Sequence, residues 1–258
     1  MSLEGLHEMT ENVETLNTVS LTMASGDMLN LLGNSFPFTA KNSPHHALEF
    51  VNLMPGNATI EALATDQYRI ARAELPLLNV TGDLDGVRLL LHRTAAEQFT
   101  KALKPLKREL AKRSDLGDVV DLGVSAHQLA TLTATIAVAL DRRYVSAWKL
   151  EWHGGSSQVS NELNSAVDFP RIKQLITDIP AGNDAFGLLV FNPALMATFM
   201  KVTDLTPGKS NIPMAVIGAE DRRKPMTIQY GDWFTGLLMP VKEVHQGFRY
   251  GAPVDHAA

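Results

Sequence analysis

Glu61-Ala-Leu-Ala-Thr-Asp-Gln-Tyr-Arg-Ile-Ala-Arg-Ala-Glu74 is the stretch on which the reading of this chain turns. Apolar and polar residues alternate on both sides of Thr65-Asp66-Gln67, the signature of two half-buried strands joined by a tight polar turn. A β-hairpin with an unusual tip is expected. A second strand of similar character, Leu237-Leu-Met-Pro-Val-Lys242, lies near the far end of the chain.

Working outward, the hairpin belongs to a repeating order of elements. Val19 to Met23 alternates as a strand, Ser25-Gly-Asp27 offers a helix cap, and Met28, Leu31 and Leu32 recur at helical spacing until Gly33 and Pro37. Three runs of strand character follow, His46 to Met54, Ala58 to Ala64 and Tyr68 to Leu75, so the first unit is β-α-β-β-β. A second round begins with a strand at Val87 to Leu91. Thr94-Ala-Ala-Glu97 then reads as a capping box opening a helix to about Lys112, with Pro105 as a kink, and strands follow at Asp118 to Val124 and Gln128 to Ile136. Trp148 to Trp152 also alternates, Gly154-Gly-Ser-Ser157 reads as a flexible turn, and Phe169 to Ile179 fits either a helix or an extended linker. The third round has a strand at Phe186 to Phe191, a helix opened by Asn192-Pro193, and strands at Ile212 to Ile217, Met226 to Tyr230 and Trp233 to Val241. One helix per several strands predicts an α+β fold, with helices on one face of antiparallel sheets. Residues 1–16 and 245–258 lack periodicity and are expected to be disordered tails.

Composition narrows the function classes. The chain has 258 residues, 45% of them hydrophobic, enough for more than one core. No apolar run approaches the roughly 18 residues of a spanning helix, and the N-terminus does not read as a signal peptide, so a cytoplasmic protein with no membrane partner is expected. The absence of cysteine removes disulfides, thiolate metal sites and a cysteine nucleophile. With a net charge of −5, any contact with nucleic acid has to come from a local patch. The helix beginning at Thr94 offers one. At about 100° per residue, Phe99, Leu103, Leu106 and Leu110 share one face, while Lys101, Lys104, Arg108 and Lys112 share the opposite one with Lys107 beside it. The stripe reads as a solvated helix face or as a surface that tracks phosphates without choosing a sequence.

Catalytic motifs fail on inspection. Pro207-Gly-Lys-Ser210 has the end of a phosphate-binding loop, but Thr203 stands where its first glycine belongs. Gly123-Val-Ser-Ala-His127 misses the second glycine of a nucleophile elbow. His45, His46, His92, His127 and His153 have no metal-binding spacing. A protein without catalytic residues, metal or cofactor is expected.

Several segments share a resemblance. Ala64-Thr-Asp-Gln-Tyr-Arg-Ile-Ala-Arg72 resembles the "ATDGHRLA" segment of the bacterial sliding clamp, the DNA polymerase III β subunit. Phe169-Pro-Arg-Ile-Lys-Gln-Leu-Ile176 with Pro180 is similar to that family's interdomain linker "FPDYRRVLP", and Phe191-Asn-Pro-Ala-Leu-Met196 to the start of its last inner helix. Pro225-Met-Thr-Ile-Gln229 and Thr235-Gly-Leu-Leu-Met-Pro-Val-Lys242 are similar to its C-terminal strands, which end in "MPMRL" or "MPVRL".

The resemblance implies a DNA clamp (processivity) fold: helices line a hole around double-stranded DNA, and a surface pocket holds clamp-binding peptides of a DNA polymerase and other partners. Carried over by position, the pocket would involve Thr65, Gln67, Tyr68, Arg69, Ile70, Pro180, Leu238, Met239, Pro240 and Val241. Lys101, Lys104, Lys107, Arg108, Lys112 and Lys201 would face the duplex, and a clamp loader would be a further partner. Gln67-Tyr68 replaces the family's Gly-His pair, and Glu243 stands where its last strand is apolar. The chain is short for three clamp domains. Residues 1–178, or a shorter segment ending as early as 146, would form the first and 179–258 the C-terminal one. A phage-type member of this kind would close a six-domain ring as a homo-oligomer, a trimer more readily than a dimer.

Overall fold

The computed structural model describes residues 17–114, 129–139, 142–160, 167–177, 191–203, 214–218 and 224–241, with side chains in the second long helix described only as far as Leu106. The expected strand at Asp118 to Val124, all but the last residue of the one expected at Phe186 to Phe191, and both expected tails lie outside these residues. So do Gly123 to His127, Pro207 to Ser210 and Pro180.

The first unit runs β1 (Asn17–Ala24), α1 (Ser25–Ser35), β2 (Phe50–Pro55), β3 (Thr59–Thr65), β4 (Arg69–Pro76) and the short β5 (Asn79–Thr81). The second runs β6 (Leu89–His92), α2 (Arg93–Ser114), β7 (Leu129–Ala139), β8 (Arg142–Trp152) and β9 (Gly155–Ser160). After a short helix α3 (Lys173–Thr177), the third contributes α4 (Pro193–Phe199), β10 (Met214–Ile217), β11 (Met226–Tyr230) and β12 (Phe234–Leu238).

The strands form two antiparallel sheets, ordered β5-β1-β7-β8-β9 and β10-β11-β12-β4-β3-β2-β6. The first two units exchange their leading strands: β1 pairs with β7 of the second unit, and β6 pairs with β2 of the first. Neither unit can then fold its sheet alone. The third joins by its last strand, β12, which pairs with β4 from Phe234↔Ala73 to Leu238↔Arg69.

One core lies between the sheets and the helices. Val19, Leu21 and Met23 of β1, Met28, Leu31 and Leu32 of α1, Phe99 and Leu103 of α2, Phe199 of α4 and Phe234 of β12 all belong to it. The helical spacing of Phe99 and Leu103 thus faces inward as expected, while Lys101 and Lys104 are exposed. Trp148 is buried and its indole N–H donates to the Leu90 carbonyl (3.2 Å), stitching the two sheets where β6 forms an edge. Gly236 is required by packing. A Cβ there would lie 2.2 Å from the Phe199 ring, so the missing side chain lets α4 sit down on β12. The Tyr230 hydroxyl donates to the Phe199 carbonyl (2.6 Å) and holds the same helix end; burial pushes its phenol pKa up.

Several local expectations are corrected. Residues His46–Glu49 form a 3-10 turn rather than strand, and β2 begins only at Phe50. Gly155 to Ser157 enter β9, so the expected flexible turn contracts to His153-Gly154, where Gly154 takes a φ of 90°. The N-cap position of α1 falls on Ala24, which has no side-chain acceptor to offer, rather than on Ser25. The Thr94/Glu97 capping box does not form: the amide of Thr94 donates to the His92 ring (3.3 Å), and Glu97 instead pairs with Lys101 (2.8 Å). Pro105 lies inside α2, which continues to Ser114. Asn192 does cap α4, accepting from the Ala194 amide (2.9 Å).

The two sheets differ on the faces turned away from the helices. On the first sheet that face is hydroxyl-rich and satisfies itself, with Ser20 bonded to Thr133 (3.0 Å) and Thr22 to Thr131 (3.1 Å). On the second it is apolar, and the strap of residues 167–177 covers it. Phe169, Ile172 and Ile176 pack on Leu90, Phe50, Leu63, Ile70 and Leu237, a row contributed by five adjacent strands. Arg72 bridges Glu61 (2.7 Å) and Glu74 (2.6 Å) on this face, and Lys173 of the strap reaches Glu61 (2.6 Å). Apolar surface that needs cover and a buried carboxylate that needs cations explain why the strap lies here.

Candidate functional site

The tip of the β3–β4 hairpin is organised by Asp66. Its carboxylate accepts from the amides of Tyr68 (3.1 Å) and Arg69 (2.8 Å) and from the Arg69 guanidinium (2.9 Å at Nε). The Thr65 hydroxyl donates to the Arg69 carbonyl (2.8 Å) and accepts from the Gln67 amide (3.2 Å). An Asx turn of this kind pulls the backbone tight without hydrogen bonds from elsewhere. Gln67 takes a φ of 78°, the left-handed region that favours the glycine of the resembling motif. Asp66 was absent from the sequence-derived site residues, although an Asp two residues ahead of the turn's end is itself a turn signal.

The tip and the C-terminal strand meet directly. Beyond the Leu238↔Arg69 pair, the Met239 amide donates to the Tyr68 carbonyl (2.9 Å). Tyr68 is 59% exposed, Val241 is 41% exposed, and Met239 and Pro240 are partly exposed, leaving an apolar patch at this junction. The other residues divide between the faces. Alternation puts Arg69 and Leu238 on the helix side, where Leu238 is buried in the main core. The Arg69 guanidinium lies over the Phe38 ring (5.4 Å) and donates to the Thr198 hydroxyl of α4. Ile70 lies on the opposite side, beneath the strap with Leu237. Thr65 is buried at the base of the tip, and Gln67 is exposed.

Of the cationic residues, Lys101, Lys104 and Lys201 are exposed on α2 and just after α4. Lys101 shares its charge with Glu97, and the hydrogen bond and field of Lys101 are the leading causes holding the Glu97 carboxyl below its ordinary value. Lys107, Arg108 and Lys112 lie on the α2 backbone, outside the described side chains. α1 packs against α2, and the ends of α1 and α4 are tied by Asn34, whose amide group exchanges two hydrogen bonds with the Thr203 backbone (3.1 and 3.2 Å). The three helices therefore stand on one side of the sheets. Among the described residues, no cluster of His, Asp or Glu could hold a metal ion. No helix among them is long and apolar enough to cross a membrane.

No protein-family model matches the sequence, and no curated protein matches it. The fold does match solved structures. The DNA polymerase sliding clamp of Pseudomonas aeruginosa aligns with a TM-score of 0.58 at 11% identity over 88% of this chain and 68% of that one. The same organism's clamp bound to griselimycin aligns at 0.57, with 11% identity over 87% and 65%. A putative DNA polymerase III β subunit from Eubacterium rectale aligns at 0.57, with 10% identity over 86% and 65%. The chain thus spans about two thirds of the length of these clamps. At such identities the likeness speaks for architecture: an α+β chain of antiparallel sheets with the fold of the bacterial DNA sliding clamp.

Proposed function

We propose that this protein is a non-enzymatic processivity factor of DNA replication, a cytoplasmic clamp that encircles duplex DNA and tethers a polymerase through a surface patch. The observation that carries this reading is the β4–β12 junction within a clamp fold. There the hairpin tip and the C-terminal strand present Tyr68, Met239, Pro240 and Val241 side by side, as a peptide-docking patch requires. Thr65, Gln67 and Arg69 shape its hairpin wall, and Ile70 and Leu238 anchor the two strands from opposite faces of the sheet. Lys101, Lys104 and Lys201, with Lys107, Arg108 and Lys112 further along, supply weak, salt-labile phosphate contacts suited to sliding. The chain is divided at about residue 178, and a trimer closes the ring; a clamp loader places it on DNA.

Retention on DNA tests this. A topologically linked ring stays on a nicked circular duplex and slides off when the circle is cut, and exchanging Lys101, Lys104 and Arg108 for Glu lowers retention. A strict monomer at about micromolar concentration, lost equally from circles and linear DNA, would remove the ring. A second reading is then favoured, in which a monomeric clamp-derived module binds a replication protein without encircling DNA. The observation behind it is that, among the described residues, only one pair of units exchanges leading strands.

A further inference from the structure

A second surface feature lies on the strap side of the large sheet, away from the β4–β12 junction. Between the strap, the ends of β2 and β3 and the loop before β6 runs a cleft of about 690 Å³. Met54, Leu63, Leu84, Val87 and Phe169 make its apolar walls. None of the residues proposed for the polymerase patch lines it, and the sheet order places it on β3, β2 and β6 rather than on β4 and β12.

Its charged side chains are few and all cationic, beside the amides of Asn52 and Gln174. Arg88, Arg171 and Lys173 line the cleft, and no carboxylate does, in a chain whose net charge is −5. Arg88 pairs with Asp168 (2.8 Å), whose side chain is 89% exposed, and Lys173 reaches the buried Glu61 (2.6 Å). Arg171 is exposed and has no ion pair among the described residues. Asn52 adds a second oddity. Outward positions of β2 alternate Phe50, Asn52, Met54, so Asn52 stands opposite Leu63 on one side and Leu90 on the other. An apolar side chain there would extend the cluster beneath the strap, yet an amide stands in its place, without a side-chain partner among the described residues. A backbone amide of a bound chain is the partner such a group can serve with both donor and acceptor.

We infer that this cleft is a second docking site, taking an extended peptide segment with an apolar side chain flanked by acidic residues. The apolar side chain enters between Val87 and Phe169, Asn52 bonds the peptide backbone, and Arg171 meets the carboxylates, assisted by Arg88 and Lys173. The cations favour an acidic partner electrostatically and reject a basic one. A nucleic acid would leave the apolar walls unmet. The inference does not rest on the clamp reading.

The test is fluorescence anisotropy with the full chain and a fluorescein-labelled, end-blocked hexapeptide, Asp-Glu-Ile-Phe-Glu-Asp, beside a version with Lys at each acidic position. Saturable binding is expected, weakened at least about tenfold by the basic version and by Arg171→Glu, and severalfold by Asn52→Leu. Tyr68→Ala leaves it unchanged. Arg171 is solvent-exposed, so an unaltered thermal unfolding curve separates lost binding from lost folding. Absence of saturable binding up to about 1 mM, a weak limit for any specific peptide site, would overturn the inference. So would equal binding of the basic peptide, or loss through Tyr68→Ala with Arg171→Glu silent. DNA retention reports independently on the clamp reading.

Discussion

Arg69 does its work on the side of the sheet facing away from the strap. It is nearly buried, paired with Asp66, bonded to Thr198 and stacked over Phe38, so it joins the hairpin of the first unit to α4 of the third. Removing one partner of a buried pair leaves the other charge uncompensated. Arg69→Ala is therefore expected to cost about 3 kcal/mol, measured by urea unfolding, and to raise hydrogen exchange in α4 before it does so in β1. Glu49 illustrates a different balance. Burial acts to raise its pKa, but the Ser43 amide (2.7 Å) and His92 (3.4 Å) together outweigh burial, and the carboxyl titrates below its ordinary 4.5. A lowered folded-state pKa contributes stability that is present above about 4.5 and lost as pH falls through the folded value. Glu49→Gln is expected to flatten the stability profile in that acid window, with urea midpoints from pH 6 to pH 3 as the readout.

At the scale of elements, the strap determines which sheet face is accessible. Phe169, Ile172 and Ile176 cover a row from five strands, and burial of a Phe side chain in such a place costs about 3–5 kcal/mol to undo by truncation to Ala. Phe169→Ala is expected to unfold at lower urea and to expose the amides of β2 and β6, whereas a truncation on the hydroxyl-rich face, Thr133→Ala, costs less than about 1 kcal/mol because only one hydrogen bond between hydroxyls is lost. The repeating α+β order and the hairpin were legible, since alternation of period two and a helical spacing survive in the sequence. The length of β8 and the start of β9 at Gly155 were not. Those boundaries follow from pairing along a neighbouring strand, as with Ala130↔Trp152, rather than from local pattern.

For the whole molecule, the continuous seven-stranded sheet makes the third unit a structural dependant of the first. Replacing Thr235 by Pro removes a backbone donor from β12, which lies between β11 and β4, and is expected to uncouple the two parts: intrinsic tryptophan fluorescence of Trp233 should change at lower denaturant than that of the unit containing Trp148. Coincident transitions in that variant would mean that the parts still unfold as one. The proposed ring adds a further expectation, a native mass of three chains at about micromolar concentration, read by native mass spectrometry.

Local chemistry in the sequence was sufficient for the hairpin, its polar tip, the amphipathic α2 and the lack of a catalytic motif, because each depends on neighbours a few residues apart. The meeting of Tyr68 with Met239, the assignment of Arg69 and Ile70 to opposite faces and the exchange of β1 with β6 came only from the tertiary structure. They depend on which strand lies beside which. Strand pairing is decided by burying surface from distant parts of the chain together, a quantity no local stretch contains.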